Sequence, residues 1–246
     1  MKISVLTAVF NRVESIAQAV ESVQSQTHND VEHVVIDGAS TDGTLDILHA
    51  CLSPNAVLVS EPDLGIYDAL NKGFARASGE IIGMMHSDDF FADSQVLADV
   101  AMAFADPTVD AVYGDIEYVA KNDIHRVIRY WHAGEFDLKK LSWGWMPPHP
   151  SLFLRRRVIE QWGGFDTRFR IAADYDAILR YFGQGQIKAF YIPRLLVKMR
   201  LGGESNGSVY RIMRKSVEDY QALRRNSVGG IGALIVKNLS KIKQFF

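Results

Sequence analysis

The stretch that decides the fold opens as Ile3-Ser4-Val5-Leu6-Thr7-Ala8 and runs on to Val31-Glu32-His33-Val34-Val35-Ile36-Asp37. The first run is short and apolar enough for a buried strand, and the second is rich in β-branched residues. Between them Ile16, Ala19, Val20 and Val23 recur at i, i+3, i+4 and i+7, one stripe of an amphipathic helix. The rhythm then repeats. Leu45, Ile47, Leu48 and Leu52 mark a second helix behind the turn Ser40-Thr41-Asp42-Gly43, and residues 56–60 read as a third strand. A third helix follows over residues 66–77, a fourth strand over 80–86 and a fourth helix over 96–105. Alternation of this kind predicts an α/β fold, a mostly parallel Rossmann-like sheet with helices on both faces. Such sheets bind ligands beyond the carboxyl ends of their strands.

After Pro107 the pattern becomes mixed. Residues 111–120 and 126–131 read as strands around the turn Lys121-Asn122-Asp123, and 151–154 as a short strand. Residues 172–182 and 208–225 are helical in period, and 187–199 are extended. The expected organisation is one domain over residues 1–227, with a front half (1–106), a mixed back half (107–227) and an amphipathic tail (228–246).

The 246 residues are 48% hydrophobic and 23% charged, an ordinary globular balance that excludes a disordered chain. A net charge of -2 gives no electrostatic case for nucleic acid as a partner. Cys51 is the single cysteine, which rules out an internal disulfide or a cysteine-built zinc cage and suits a reducing cytosol. No apolar run reaches the roughly 18 residues of a membrane-spanning helix, and the opening apolar run is too short for a signal peptide. The expected location is cytoplasmic.

Carboxylates gather where the predicted strands end. Asp37 closes the second strand, Asp63 follows the third, and His86-Ser87-Asp88-Asp89 follows the fourth. Two adjacent carboxylates after a buried strand suggest Mg²⁺ or Mn²⁺ held by few protein groups, with substrate phosphates supplying the other oxygens. A diphosphate leaving group needs such a cation for its developing charge. There is no GxGxxG after the first strand and no P-loop, which argues against dinucleotide binding and P-loop chemistry.

Five segments in register resemble family 2 glycosyltransferases. They are Ser4-Val5-Leu6-Thr7-Ala8-Val9-Phe10-Asn11-Arg12, then Val35-Ile36-Asp37-Gly38-Ala39-Ser40-Thr41-Asp42-Gly43-Thr44, then the run from Ser60 to Gly73 that contains Glu61-Pro62-Asp63-Leu64-Gly65-Ile66-Tyr67-Asp68. Ser87-Asp88-Asp89 and Gly164-Phe165-Asp166 with Ala173-Asp174-Tyr175-Asp176 complete the set. The resemblance covers residues 2–205 and is strongest to bacterial enzymes of the exopolysaccharide, colanic-acid or O-antigen repeat-unit type.

The resemblance implies a GT-A fold, a nucleotide-diphospho-sugar donor, UDP foremost, and inversion at the anomeric carbon. It implies a saccharide or lipid-linked saccharide acceptor. By the same carry-over Thr7, Ala8 and Val9 line the nucleotide through backbone groups, Asp37 faces the base, and Gly65, Ile66 and Tyr67 flank base and ribose. Asp88 meets the ribose or donor sugar, Asp89 holds Mn²⁺ or Mg²⁺, and Asp174 is the catalytic base. Arg200, before Leu201-Gly202-Gly203-Glu204-Ser205, neutralises the diphosphate. The chain departs from the family at Gly38, where Asp is common, and at Ala173, where Glu is common.

His149, set between prolines, is a candidate contact for the acceptor or a phosphate, and Trp145 for the sugar face of the acceptor. In the tail, Ile231, Leu234, Ile235, Leu239, Ile242, Phe245 and Phe246 stand beside Lys237, Lys241 and Lys243. That pattern suits either packing on protein or peripheral contact with the cytoplasmic face of the inner membrane. Two other functions share the sheet and the metal: a sugar-phosphate nucleotidyltransferase, and a sugar-nucleotide-binding protein without catalysis.

Overall fold

The structure is a computed structural model that describes residues 1–201 and 209–240. In chain order it contains β1 (Ile3–Val9), α1 (Ile16–Gln24), β2 (Val31–Asp37), α2 (Thr44–Cys51), β3 (Val57–Ser60), α3 (Ile66–Arg76) and β4 (Ile81–Met84). Next come β5 (Phe90–Phe91), α4 (Val96–Ala103), β6 (Ala111–Ala120), β7 (Asp123–Trp131), α5 (Leu138–Leu141), a 3-10 turn (His149–Ser151), β8 (Phe153–Arg155) and α6 (Arg156–Trp162). The chain closes with α7 (Ala173–Ile178), extended by π-helical turns over Leu179–Gln184, then β9 (Ala189–Arg200), α8 (Val209–Arg225) and α9 (Ile231–Ser240).

Among the described residues one sheet runs in the order β3-β2-β1-β4-β8-β6-β9-β5, with β7 beside β6. The β3-β2-β1-β4 path is wholly parallel, so each crossover needs a helix. The register sets Val9 beside Asp37 and Asp37 beside Ser60, which brings three carboxyl ends level. β8 then joins β4 in antiparallel sense, and β6 runs parallel to β9. Side chains alternate between two cores. Leu6 and Ala8 pack with residues of α3, α6, α7 and α8, whereas Val5 and Val9 pack with α1, α2 and α4. Gly83 marks where the sheet changes sense, because a Cβ there would run into the ring of Phe153.

The front half follows the sequence pattern closely, with ends that shift by a residue or two, as where β3 begins at Val57 and α4 ends at Ala103. β4 ends at Met84, two residues before the predicted end: the Met85 amide makes a last bond to Leu6 O, and residues 86–89 then turn across the sheet's edge. In the back half Asp123 belongs to β7, so the turn tightens to Lys121-Asn122. β5, α5 and α6 carry no readable period. The two residues of β5 are a strand only because Phe90 and Phe91 pair with Lys198 and Val197 of β9.

Among the described residues no helix is long and apolar enough to cross a membrane.

Candidate active site

A cleft of about 670 Å³ opens over the carboxyl ends of β1 and β4. Ala8, Met84, His86, Ser87, Asp88 and Asp89 form its floor, and Asp174, His149, Tyr67, Arg214 and Lys215 its far wall. The two carboxylate groups that the sequence sets 85 positions apart, Asp89 and Asp174, therefore face one space.

Asp89 is 1% exposed. Its Oδ1 accepts the backbone amide of Arg200 at 3.1 Å, and its Oδ2 is buried without a partner among the described residues. The β5–β9 pairing makes this contact, since it lays the end of β9 against residues 88–91. Burial first, and the neighbouring Asp88 second, push the Asp89 carboxyl well above the usual carboxylate range. Arg200 lines the cleft but is held: its guanidinium donates to Asp88 O at 2.8 Å and to Gln18 Oε1, and lies over the Phe90 ring.

Asp174 is the second residue of α7 and is not that helix's N-cap, which is Ala172. The free amides of Ile171 and Ala172 are taken by Glu218 Oε2 of α8, at 2.8 and 3.0 Å. Glu218 in turn receives Arg214 Nε at 3.0 Å. Asp174, in the first turn of the helix, lines the cleft. The Tyr67 hydroxyl is shared between Ile171 O at 2.8 Å and Asp174 Oδ1 at 3.1 Å, and His149 Nδ1 is 3.1 Å from Asp174 Oδ2.

Burial lowers His149 to about 4, so its ring is neutral at neutral pH and an Nδ1–H donates to the carboxylate. Burial alone would raise Asp174, but the groups around it, His149, Lys215 and Lys237 foremost, outweigh it and hold the carboxyl below its ordinary value.

The other predicted residues fall in three places. Ala8, Ile66, Tyr67, Asp88, Arg200 and His149 line the cleft with the two carboxylates. Thr7 and Val9 point to the opposite face of β1; Thr7 Oγ1 lies 3.0 Å from His33 Nε2. Gly65 opens α3 with φ +118, and its amide donates to Asp63 Oδ1 at 2.8 Å.

Asp37 and Trp145 do not line the cleft. Asp37 is fully buried and accepts the Ser40 amide and the hydroxyls of Ser40 and Ser60 at 3.1, 2.5 and 2.6 Å. Trp145 packs between Tyr113 and Phe136, its ring N–H on Ala133 O at 2.9 Å. Gly202, Gly203, Glu204 and Ser205 lie outside the described residues.

Sequence reasoning missed Arg12, Arg170, Arg214 and Lys215, all of which line the cleft. Arg214 and Lys215 sit on a polar helix with no motif to mark them. It also passed over what Gly38 means. A Cβ at residue 38 would stand 2.5 Å from Asp63 Oδ2, so Asp63 fills the space a side chain there would take.

Residues 4–163 match the family described as glycosyl transferase family 2, and the chain belongs to that family. An uncharacterized glycosyltransferase of Mycobacterium tuberculosis (strain CDC 1551 / Oshkosh) is 34% identical over 183 residues, which cover 72% of this chain and 68% of that protein. Two solved structures share the GT-A arrangement. One is a mannosyltransferase from Pyrobaculum calidifontis in complex with GDP-Man and Mn2+, with TM-score 0.67 and 23% identity, over 93% of this chain and 65% of that one. The other is S. aureus TarS 1-349 in complex with UDP-GlcNAc, with TM-score 0.68 and 19% identity, over 93% and 66%.

Proposed function

We propose that this glycosyltransferase moves a sugar from a nucleotide-diphospho-sugar, UDP-sugars foremost, to a hydroxyl of a saccharide or lipid-linked saccharide, with inversion and with a divalent cation. The observation that carries the reading is one cleft holding a buried carboxylate oxygen on Asp89, unpartnered among the described residues, and an aligned carboxylate on Asp174.

The residues fit the cation. A buried carboxylate oxygen without a donor calls for a proton or a metal, and among the described residues Asp89 Oδ2 is such an atom. Asp89 would hold Mn²⁺ or Mg²⁺, with Asp88 beside it. Among the described residues no group of three or more His, Cys, Asp or Glu side chains is arranged as a metal cage. A hard cation of this kind takes its remaining oxygens from substrate phosphates and water. When bound it supplies positive charge to the departing diphosphate.

The chain's own residues do the rest. Asp174 accepts the proton of the acceptor hydroxyl as that oxygen bonds to the anomeric carbon. The bond from this carbon to the diphosphate oxygen breaks, and the nucleoside diphosphate leaves with the electron pair. Attack opposite the leaving group inverts the centre. Tyr67 and His149 keep the carboxylate in place, and a positioned base contributes roughly 10²–10⁴-fold. Arg12 and Arg200 put positive charge at the donor side of the cleft. Asp63 and Asp37 both lie beyond the cleft lining, around Gly38; the half-buried Asp63 is the carboxylate we assign to the base end, and Asp37 shapes the turn beside it. For a lipid-linked acceptor, the α9 face that meets the membrane is the one bearing the exposed Ile231 and Ile235.

The test is a panel of UDP-, GDP- and dTDP-sugars with Mn²⁺, scored for release of the nucleoside diphosphate. Release from one of them supports the reading. Pyrophosphate release from UTP and a sugar phosphate would assign a nucleotidyltransferase instead, and tight binding with no turnover a sugar-nucleotide-binding protein.

A further inference from the structure

Lys237 lies outside the 4–163 segment that carries the family match, and it does not line the cleft. The sequence pattern sets it among the lysines of a tail; Lys241 and Lys243 lie outside the described residues. In the structure α9 turns Ala233 and Lys237, one helical turn apart, towards the protein. Gly144, at φ +81, allows the approach: a Cβ there would stand 2.7 Å from Lys237 Cβ and collide with Ala233 O.

The Lys237 ammonium ends under α7. Its Nζ is 2.9 Å from Asp219 Oδ1 of α8, with the two side chains 5% and 2% exposed, and 3.0 Å from the centroid of the Tyr175 ring. Tyr175 adjoins Asp174 in the chain, and the ammonium charge acts on the Asp174 carboxylate. A buried ion pair adds little stability over an apolar pair of the same volume. A purely structural clamp between α9 and α7 has no need of a charge at this depth.

We propose that Lys237 is a positioning residue for catalysis: it braces α7 from behind through Tyr175 and Asp219 and places a fixed positive charge behind Asp174, so that α9 is a working part of the active site. This rests on the reading of Asp174 as the base. Among the described residues the charged and titratable groups around the ammonium are Asp219 and Lys215 of α8, Asp174 and Tyr175 of α7, and His149 of the 3-10 turn, which is neutral. Tyr175 is itself pushed up by burial and stays neutral. Burial lowers Lys237 to about 8, against the pull of Asp219, so most of its charge is present at pH 7.

The test compares wild type, Lys237→Met, Lys237→Gln and Asp174→Asn. Lys237→Gln removes the charge and keeps a polar donor, one bond shorter, on the Asp219 side, which covers the case in which Lys237→Met does not fold. Carboxyl-labelled aspartate gives the titration of Asp174 by NMR in the protein without ligand. Calorimetry with UDP and Mn²⁺ gives nucleotide affinity, and turnover is followed against pH with the sugar nucleotide found active. The expected result is an Asp174 titration about one pH unit higher in both Lys237 variants, the scale for losing a nearby opposite charge. The acid limb of kcat moves up with it, while UDP affinity changes less than about twofold. An unmoved titration and acid limb overturn the proposal, including the case where activity, UDP affinity and melting temperature all fall together. Turnover surviving in Asp174→Asn instead removes the base reading on which the proposal rests. An inactive Asp174→Asn beside unaltered Lys237 variants removes the proposal alone.

Discussion

His149 Nδ1 stands 3.1 Å from Asp174 Oδ2, and the two side chains are only 27% and 18% exposed. With the ring neutral at neutral pH, the contact is a hydrogen bond that aims the carboxylate; the ring adds no charge of its own, and the opposing charges on Asp174 are those of Lys215 and Lys237. His149→Ala is expected to lower kcat by up to about 10²-fold, the scale for a misplaced reacting group, with UDP affinity little changed. The wild-type profile of kcat should carry no histidine step between about pH 5 and pH 8. A ring ¹⁵N titration of His149 checks the point directly; a midpoint near the free histidine value contradicts it.

Asp89 gives a stability prediction as well as a kinetic one. Its folded carboxyl is raised above its unfolded value, so the native state binds the extra proton and loses stability as pH rises through that window. At neutral pH a cation relieves the burden. Mn²⁺ is therefore expected to raise the melting temperature of wild type and to leave Asp89→Asn unmoved. Without metal, Asp89→Asn melts at or above wild type. A thermal shift series with Mn²⁺ and with EDTA measures both, and an equal Mn²⁺ shift in the two proteins contradicts the assignment.

Asp63 and Asp37 separate by what each loses. Asp63→Ala is expected to weaken UDP binding by about 1.5–3 kcal/mol, the value of a hydrogen bond to a charged group, and to cost little stability, since the Gly65 amide it frees is exposed to water. Asp37→Ala strands the hydroxyls of Ser40 and Ser60 and lowers the unfolding midpoint in urea. Calorimetry and denaturation on the two variants would falsify the division if the effects came out reversed.

Acid lability is built into β2. Burial lowers His33 from 6.5 to about 4, so the folded state keeps its ring neutral while the unfolded chain protonates it. The contribution is intact above about pH 6.5 and is lost as pH falls towards 4, a deficit of about 2 kcal/mol at pH 5 relative to pH 7. His33→Gln should flatten this part of the stability curve. Urea titrations at pH 5 and pH 7 show it, and an equal loss in both proteins places the lability elsewhere.

The sequence made the front half legible because each of its elements is long enough to show its own period. Val34 and Ile36 against Val35 already state which residues meet which core. β5 was illegible for the opposite reason: two phenylalanines have no period, and only β9, more than a hundred positions on, makes them a strand. The site divides in the same way. Asp88-Asp89 and Asp174 are marked by motif, and the topology brings them to one cleft. What holds them is long-range. Tyr67 reaches Asp174 across 107 positions, Arg200 reaches Asp89 across 111, and Glu218 takes the amides of residues 171 and 172 from another helix. Asp37 was placed at the right strand end, but the turn at Gly38-Ala39 folds Ser40 back onto its carboxylate and draws it inward. The tail pattern leaves packing on protein and membrane contact equally open for Lys237, because helical period fixes which residues share a side and not which way that side turns.

The account stands on two carboxylates with separate work, and the most direct measurement is donor affinity beside turnover in Asp89→Asn and Asp174→Asn. The probes are UDP with Mn²⁺ for binding and the active sugar nucleotide, with its acceptor, for turnover. Asp89→Asn is expected to lose turnover and the metal-dependent part of UDP affinity together. Asp174→Asn is expected to lose turnover by roughly 10²-fold or more while binding UDP and Mn²⁺ as wild type does. Near-wild-type turnover in Asp174→Asn, or UDP binding in Asp89→Asn that still responds to Mn²⁺ in full, contradicts it.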